Sequence, residues 1–238
     1  MVAVLLSLAL LSGCSHHERA RIKPPPTPEI VAEEPAETTP EPSRQAVEPP
    51  SRTHDKVLYS ETGLASWYGP PYHNRRASNG EIYNMNALTA AHRTLPLGTK
   101  VRVTNMKTQS SVVVRITDRG PFIEGRIIDL SMAAAKEVDV WRPGTAPVRI
   151  DVLETPAPIE TGGRWAVQIG AFEEEDAATK LSEHLAHRYH SARVQQFSSP
   201  VGDWWVRVRV PQDDKREAEE IAHATHTPEG SIFLVRLD

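Results

Sequence analysis

Between residues 64 and 153 the chain offers six short runs of β-branched or alternating apolar residues, at 64–68, 87–91, 101–103, 112–116, 127–130 and 148–153. Turn chemistry closes each run: Pro70-Pro71, Asn79-Gly80, Leu97-Gly98, Arg119-Gly120-Pro121 and Pro143-Gly144 stand at the breaks. Runs this short and this regularly interrupted read as strands, and several of them in succession suggest a sandwich or barrel. One stretch, 131–138, carries a helical pattern, with Ser131 placed to cap it and an alanine run to propagate it. The expectation for this part is a compact β-barrel with one short helix.

After Thr155-Pro156-Ala157-Pro158 and Gly162-Gly163 the pattern changes to strand, helix, strand, strand, helix, strand. Residues 165–171 alternate as a strand, and Ala177, Ala178, Leu181, Leu185 and Tyr189 recur at helical spacing. Strands at 192–197 and 204–210, a helix over 213–225 with Ala218, Ile221 and Ala222 inward, and a strand at 231–237 complete two similar halves. Helices packed on one face of a sheet would leave its other face open for a ligand.

The region ahead of the barrel is unlike globular sequence. Residues 2–11 are almost wholly apolar, too short for a membrane span of about 20 residues, and run into Leu11-Ser12-Gly13-Cys14. Small residues before the only cysteine suit a lipoprotein signal, with Cys14 as the lipid acceptor, because a single thiol cannot form an internal disulfide. No Lys or Arg precedes the apolar run, which implies a true start further upstream. Nine of the chain's 20 prolines then fall within 18–56, among Glu, Thr and Ser, a composition that buries no core and reads as a spacer. The expected organisation is therefore a signal with its cysteine at 1–14, a Pro-rich linker at 15–57, a barrel at 58–155, a short linker at 156–163 and a second domain at 164–238. A net charge of -4 gives no clustered basic surface for nucleic acid.

The barrel region carries more polar residues than a structural barrel needs: Ser66-Trp67-Tyr68-Gly69, Asn79-Gly80-Glu81, Ala91-His92 and Thr117-Asp118-Arg119-Gly120-Pro121-Phe122. Acids and a histidine beside strand ends can hold a carboxyl group against a sugar oxygen. Trp67 and Tyr68 offer flat faces of the kind that stack on sugar rings, although such residues also fill cores. In the second domain Trp204 and Trp205 alternate on one strand, so they cannot both line its open face. His184 and His187 are spaced along a helix without carboxyl or thiol partners nearby, and no metal and no cofactor are expected.

Taken in order, Gly63-Leu64-Ala65-Ser66-Trp67-Tyr68-Gly69, Ser78-Asn79-Gly80-Glu81, Thr89-Ala90-Ala91-His92, Leu95-Pro96-Leu97-Gly98-Thr99 and Asp118-Arg119-Gly120-Pro121-Phe122 resemble the rare lipoprotein A family. Trp165 to Phe172 and the repeat layout that follows resemble a SPOR domain. The resemblance implies an all-β six-stranded double-psi β-barrel joined to an α+β SPOR domain of βαββαβ order, an antiparallel sheet with two helices on one face. It also implies an endolytic lytic transglycosylase that cleaves the β-1,4 bond from N-acetylmuramic acid to N-acetylglucosamine, prefers glycan stripped of stem peptides and leaves a 1,6-anhydro end. The rival is a non-catalytic peptidoglycan-binding lipoprotein with an expansin-like barrel.

Carried residue by residue, the resemblance makes Asp118, Glu81 and His92 the catalytic candidates, with the acid/base open between Asp118 and Glu81. Trp67, Tyr68, Asn84 and Arg119 are expected to bind substrate, and Gln168, Phe172 and Trp205 to bind glycan from the SPOR side. Asn84 departs from the pattern, since the family usually has Asp there and an amide cannot relay a proton. Asp129, flanked by apolar residues, is expected to tie barrel backbone together. The implied partners are denuded glycan strands, the membrane through the lipid on Cys14, and divisome proteins. The implied location is the periplasmic face of the outer membrane, enriched at the division septum, since Ser15 rather than Asp follows the cysteine.

Overall fold

The computed structural model describes residues 56–227 and 230–238. The signal, Cys14 and nearly all of the Pro-rich linker lie outside the described residues. Residues Arg52–Asp238 form one compact unit that contains both the barrel and the second domain.

Six strands close into a barrel: β1 (Tyr59–Tyr68), β2 (Thr89–His92), β3 (Lys100–Asn105), β4 (Ser111–Asp118), β5 (Arg126–Ser131) and β6 (Ala146–Glu154). Their order around the barrel is β1-β5-β2-β4-β3-β6. The β1/β5 and β2/β4 pairs are parallel and the others antiparallel, which is the crossed arrangement the family resemblance implied. Closure leaves no free sheet edge. Inside, Ala65, Ala90, Val101, Val103, Val114, Ile116, Ile128, Leu130, Val148, Ile150 and Val152 pack as one core, each from the inward parity of its strand. Helix α1 (Met132–Glu137) sits where the alanine run predicted it, and Ser131 Oγ accepts from Ala134 N at 3.2 Å as its cap.

The second domain is a four-stranded antiparallel sheet in the order β10-β7-β9-β8, built from β7 (Trp165–Phe172), β8 (Arg193–Ser198), β9 (Trp204–Arg209) and β10 (Ser231–Arg236). Helices α2 (Glu175–Arg188) and α3 (Lys215–Ala224) cover one face, where Trp165, Val167, Ile169, Val206 and Val208 meet Ala178, Leu185, Ala218 and Ile221. Asp214 caps α3, its carboxylate accepting from Glu217 N.

The other face of this sheet is not left wholly open, contrary to the sequence expectation. Phe122 of the barrel packs against Trp205 and Phe233, with ring centroids 5.3 and 5.8 Å apart, and the Arg93 guanidinium stands over Phe233. Arg236 N donates to Arg93 O, and Leu97 N to Asp238 O. Ala166 and Val235, on the same face, are fully buried. The reason is hydrophobic: Phe233, Val235 and Trp205 would make an exposed apolar patch, and the barrel covers it. The β8 side, with Phe197, and Arg207 and Arg209 of β9 remain accessible.

Candidate active site

Strand parity decides what the barrel shows to solvent. In β1, Ala65 and Trp67 pair with Ile128 and Leu130 and turn inward, so Ser66 and Tyr68 turn outward. In β5, Asp129 lies between inward Ile128 and Leu130 and therefore also points out. β2 contributes Ala91, opposite Asp129 across an antiparallel pair. β4 would place Asp118 inward, in step with Val114 and Ile116, but the register slips by one residue there: Ala90 pairs with Ile116 and Ala91 with Asp118. That irregularity re-aims Asp118 onto the outer face.

Ser66, Asp129, Ala91 and Asp118 thus form one row across four neighbouring strands. Two strand spacings of about 4.8 Å set the two aspartates roughly 10 Å apart at Cα, with only the methyl group of Ala91 between them.

Both aspartates line a groove of about 490 Å³. Asp118 Oδ1 accepts from Ser78 N at 3.0 Å, Ser78 Oγ at 2.5 Å and Arg119 N at 2.8 Å, so three donors fix the orientation of its carboxyl group. Asp129 Oδ1 accepts from Ser66 Oγ at 2.7 Å, and Oδ2 meets Arg126 Nη2 at 3.1 Å. Burial pushes the Asp129 carboxyl above the ordinary aspartate range, against the opposing pull of Arg126, Ser66 and Arg93. Tyr68 stacks on Tyr83 at 4.3 Å and meets Tyr72 edge-on at 5.9 Å, which gives the groove an aromatic wall. Burial raises the Tyr68 phenol, which stays neutral and offers the groove an aromatic face.

The residues singled out from sequence separate into two groups. Asp118, Tyr68, Arg119, Gln168 and Trp205 line the groove, whereas Glu81, His92, Trp67, Asn84 and Phe172 do not. Glu81 is exposed and held by Arg115 in a two-pronged pair at 2.9 and 2.7 Å, and that guanidinium keeps its carboxyl below the usual range. His92 is 3% exposed; its Nδ1 accepts from Thr94 N and Leu95 N, and its Nε2 lies 3.3 Å from Glu61 Oε2. With Nδ1 an acceptor, the ring proton sits on Nε2 and is donated to Glu61. Trp67 packs against the barrel core from the inward parity of β1. The exposed Asn84 folds its amide oxygen back onto Asn86 N at 3.0 Å.

Arg119 reaches the groove, but its guanidinium donates to the backbone oxygens of His92, Leu95 and Asp238, and burial brings it down to about 10. It ties the Asp118 loop to both domains rather than presenting a free fork to a ligand. Phe172 belongs to the helix-covered core of the sheet, because a register slip between Gly170 and Phe172 moves it to the parity of Trp204 and leaves Ala171 at the groove. Gly170, at φ 152°, permits this approach: a β-carbon there would stand 2.6 Å from the Trp205 ring.

Asp129 is the groove residue that the sequence reading assigned a structural part. A usable signal was present, since an acid between two inward apolar residues of one strand has to face outward.

A family model described as a lytic transglycolase matches residues 60–150, and the SPOR domain model matches residues 161–224. Curated relatives called endolytic peptidoglycan transglycosylase RlpA include one from Campylobacter jejuni, 41% identical over 169 residues that are 60% of this chain and 62% of that protein. Another, from Pasteurella multocida, is 49% identical over 173 residues, 68% of this chain and 58% of that protein. The chain belongs to the RlpA family. A third RlpA, from Vibrio cholerae, is 54% identical over 100 residues, which are 42% of this chain and 38% of that protein. The chain spans about half to three fifths of the length of the curated RlpA proteins that it matches first. Among solved structures, an expansin from Clavibacter michiganensis overlays 64% of this chain and 81% of its own length, with 16% identity and a TM-score of 0.34.

Proposed function

We propose that this chain is an endolytic lytic transglycosylase of peptidoglycan, cutting between N-acetylmuramic acid and N-acetylglucosamine and closing the muramoyl end into a 1,6-anhydro ring. The observation that carries the reading is the pair of outward aspartates on one strand row, in a groove walled by tyrosines. The family match supports the same chemistry.

Cleavage needs a proton on the leaving oxygen and negative charge near the oxocarbenium-like centre. Asp129 suits the first task, because burial favours its protonated form. Its proton passes to the bridging oxygen as the bond from C1 breaks. The 6-hydroxyl of the same muramoyl residue then attacks C1, and its proton returns to the Asp129 carboxylate. No water enters and no proton is left over. A nucleophile within the substrate needs no positioning by the protein beyond the sugar itself. Asp118, held by three donors, faces the row from the other side of Ala91 and stabilises the developing positive charge.

The binding-only alternative rested on Asn84. Its amide bonds Asn86 and stands apart from the residues that line the groove, so its lack of charge does not touch the carboxyl pair.

The finer parts of the reading are also proposals: a preference for strands free of stem peptides, action at the division septum, and tethering to the outer membrane through Cys14 with the Pro-rich stretch as the reach into the wall. Divisome partners belong with them. The SPOR match supports peptidoglycan as the binding partner.

Mass spectrometry of peptide-free glycan strands after incubation with the protein tests the reaction. Anhydro-ended fragments that disappear in Asp129→Asn are the expected result. Ordinary reducing ends, or strands left intact by a folded wild-type protein, would overturn it.

A further inference from the structure

We infer that the SPOR sheet is the second wall of the cleavage groove, so that one glycan strand is held by Tyr68 of the barrel and by Arg207 and Phe197 of the sheet in a single binding event. This rests on the glycan reading of the groove, and it makes the sheet part of the subsite that holds the strand being cut, beyond capture of the cell wall.

The groove that contains Asp118 and Asp129 is lined from the other side by Gln168, Phe197, Trp205 and Arg207. These residues share the helix-free face of the sheet: Phe197 pairs with Trp205, and Gln168 with Arg207. The Arg207 guanidinium lies 5.0 Å from the centroid of the Phe197 ring. Gln168, 2% exposed, holds it there, its Oε1 accepting from Nε at 3.1 Å and Nη2 at 2.6 Å. An arginine fixed by a buried amide over an aromatic face is organised before any ligand arrives, so little side-chain entropy is lost when a sugar or carboxylate meets it. Burial and neighbouring Arg209 lower the Arg207 guanidinium, while the Asp118 carboxylate pulls it back up, which places the two charges within electrostatic reach of each other.

Charge identifies the occupant. Five arginines and three aspartates line the groove, an excess of positive charge that suits a strand carrying carboxylates. A peptide-free muramoyl residue has a free lactyl carboxylate on alternate sugars, and its rings offer apolar faces to Tyr68 and Phe197. The two walls are also locked together: Phe122, four residues after Asp118, packs against Trp205 and Phe233, and Arg119 bonds Asp238 O. The loop that carries the groove carboxylate is therefore braced by the sheet.

The test uses the full chain in the Asp129→Asn background, titrated calorimetrically with a peptide-free muramyl oligosaccharide, together with steady-state cleavage by the otherwise wild-type protein. We expect one ligand per chain. Tyr68→Ala and Arg207→Ala should each weaken that one event about tenfold, as expected for loss of a stacking face or a charged hydrogen bond, and Phe197→Ala, at a half-exposed position, by several-fold. In cleavage, Arg207→Lys and Phe197→Ala should raise KM with kcat nearly unchanged, with Tm within a few degrees of wild type. Two ligands per chain, or a KM indifferent to Arg207 and Phe197, would overturn the inference and make the sheet an independent module while leaving the catalytic reading intact. One-to-one binding sensitive to both walls, in a protein that never cleaves, would uphold the shared groove and remove the catalytic reading instead.

Discussion

Two sets of charged residues on the barrel look alike in sequence and differ in almost everything physical. Asp118 and Asp129 stand on the outward parity of the two strands that flank β2, one on each side of Ala91, and look into a groove. Glu61, Glu81 and His92 have their hydrogen-bonding capacity engaged within the protein: His92 by Glu61 and two backbone amides, Glu81 by Arg115. A side chain whose polar atoms are already matched can hold the fold together, but it has nothing left to offer a substrate. What separates the sets is strand parity for His92, the Arg115 pair for Glu81 and a single slip of register at Asp118, not residue type.

The largest effect should follow removal of the carboxyl group proposed as the proton donor. Asp129→Asn is expected to lower kcat by about 10³-fold, within the range for a general acid, measured as release of anhydro-ended fragments. Because burial disfavours the ionised carboxyl, the amide should leave Tm equal to or above that of wild type near neutral pH, which separates lost chemistry from lost fold. The sign for pH is fixed by the same shift. A carboxyl raised above its ordinary value stays protonated further up the scale, so kcat should fall as pH rises through the Asp129 value, and that limb should be absent from the residual activity of Asp129→Asn. Next comes Asp118→Asn. Here the hydrogen bonds from Ser78 and Arg119 can still be accepted by the amide oxygen, and the loss of charge should cost on the order of 10²-fold in kcat with KM little changed. If Asp118→Asn proved the more damaging of the two, the assignment of acid and stabiliser would be reversed.

Much of this was legible in the chain. The barrel strands, the Ser131 cap and the βαββαβ order of the second domain follow from short alternating runs and turn residues, which are local signals. The choice between Trp204 and Trp205 was half legible: alternation required one of them to be core, and it is Trp204 that packs under the helices. Other features depend on long-range register. Nothing near Asp118 announces that β4 slips by one residue against β2, and nothing near Phe172 announces the matching slip against β9. The covering of Phe233 and Trp205 by Phe122 joins residues more than 80 positions apart, beyond any window that reads periodicity. The outward aim of Asp129 was legible from strand parity, although an acid between apolar neighbours reads first as structural, and its bonds to Ser66 and Arg126 do join β1 and β5.

The second set should respond in stability rather than in chemistry. His92→Gln takes the imidazole donor from the partly exposed Glu61 carboxylate, which keeps Tyr59, and removes the buried Nδ1 acceptor of two backbone amides. A loss of about 1–3 kcal/mol is expected for such unsatisfied groups, read as a lower Tm or denaturation midpoint, with kcat per folded molecule unchanged. Burial depresses the His92 imidazole below its ordinary 6.5, and the His92 hydrogen bond depresses Glu61 below its ordinary 4.5. Groups with depressed values in the folded state contribute stability above the unfolded value and lose it as pH falls, because the unfolded chain then takes up protons that the native one refuses. The wild-type barrel should therefore weaken in two stages, below about pH 6.5 and again below about 4.5, and His92→Gln should remove the upper stage. A stability curve flat from pH 7 to 5 in the wild type would show that the pair carries no such linkage.

The smallest effect is expected at Glu81, and it bears most directly on the contrast between the two sets. Its carboxylate is paired with Arg115 on the surface, with side chains 55% and 40% exposed, and solvent screening limits such a pair to roughly 0–1 kcal/mol. Glu81→Gln should therefore leave kcat within about twofold of wild type and shift Tm by no more than a few degrees, the change shrinking further as salt is added. Loss of activity comparable to that of Asp129→Asn, in a protein of normal Tm, would mean that the Glu81 segment leaves Arg115 and swings into the groove when substrate binds. The boundary between the two sets would then be a property of the empty groove and not of the working one. Arg115→Ala separates the cases: it should be harmless if Glu81 is only a surface partner, and it should change kcat if Arg115 restrains a carboxyl group that must move.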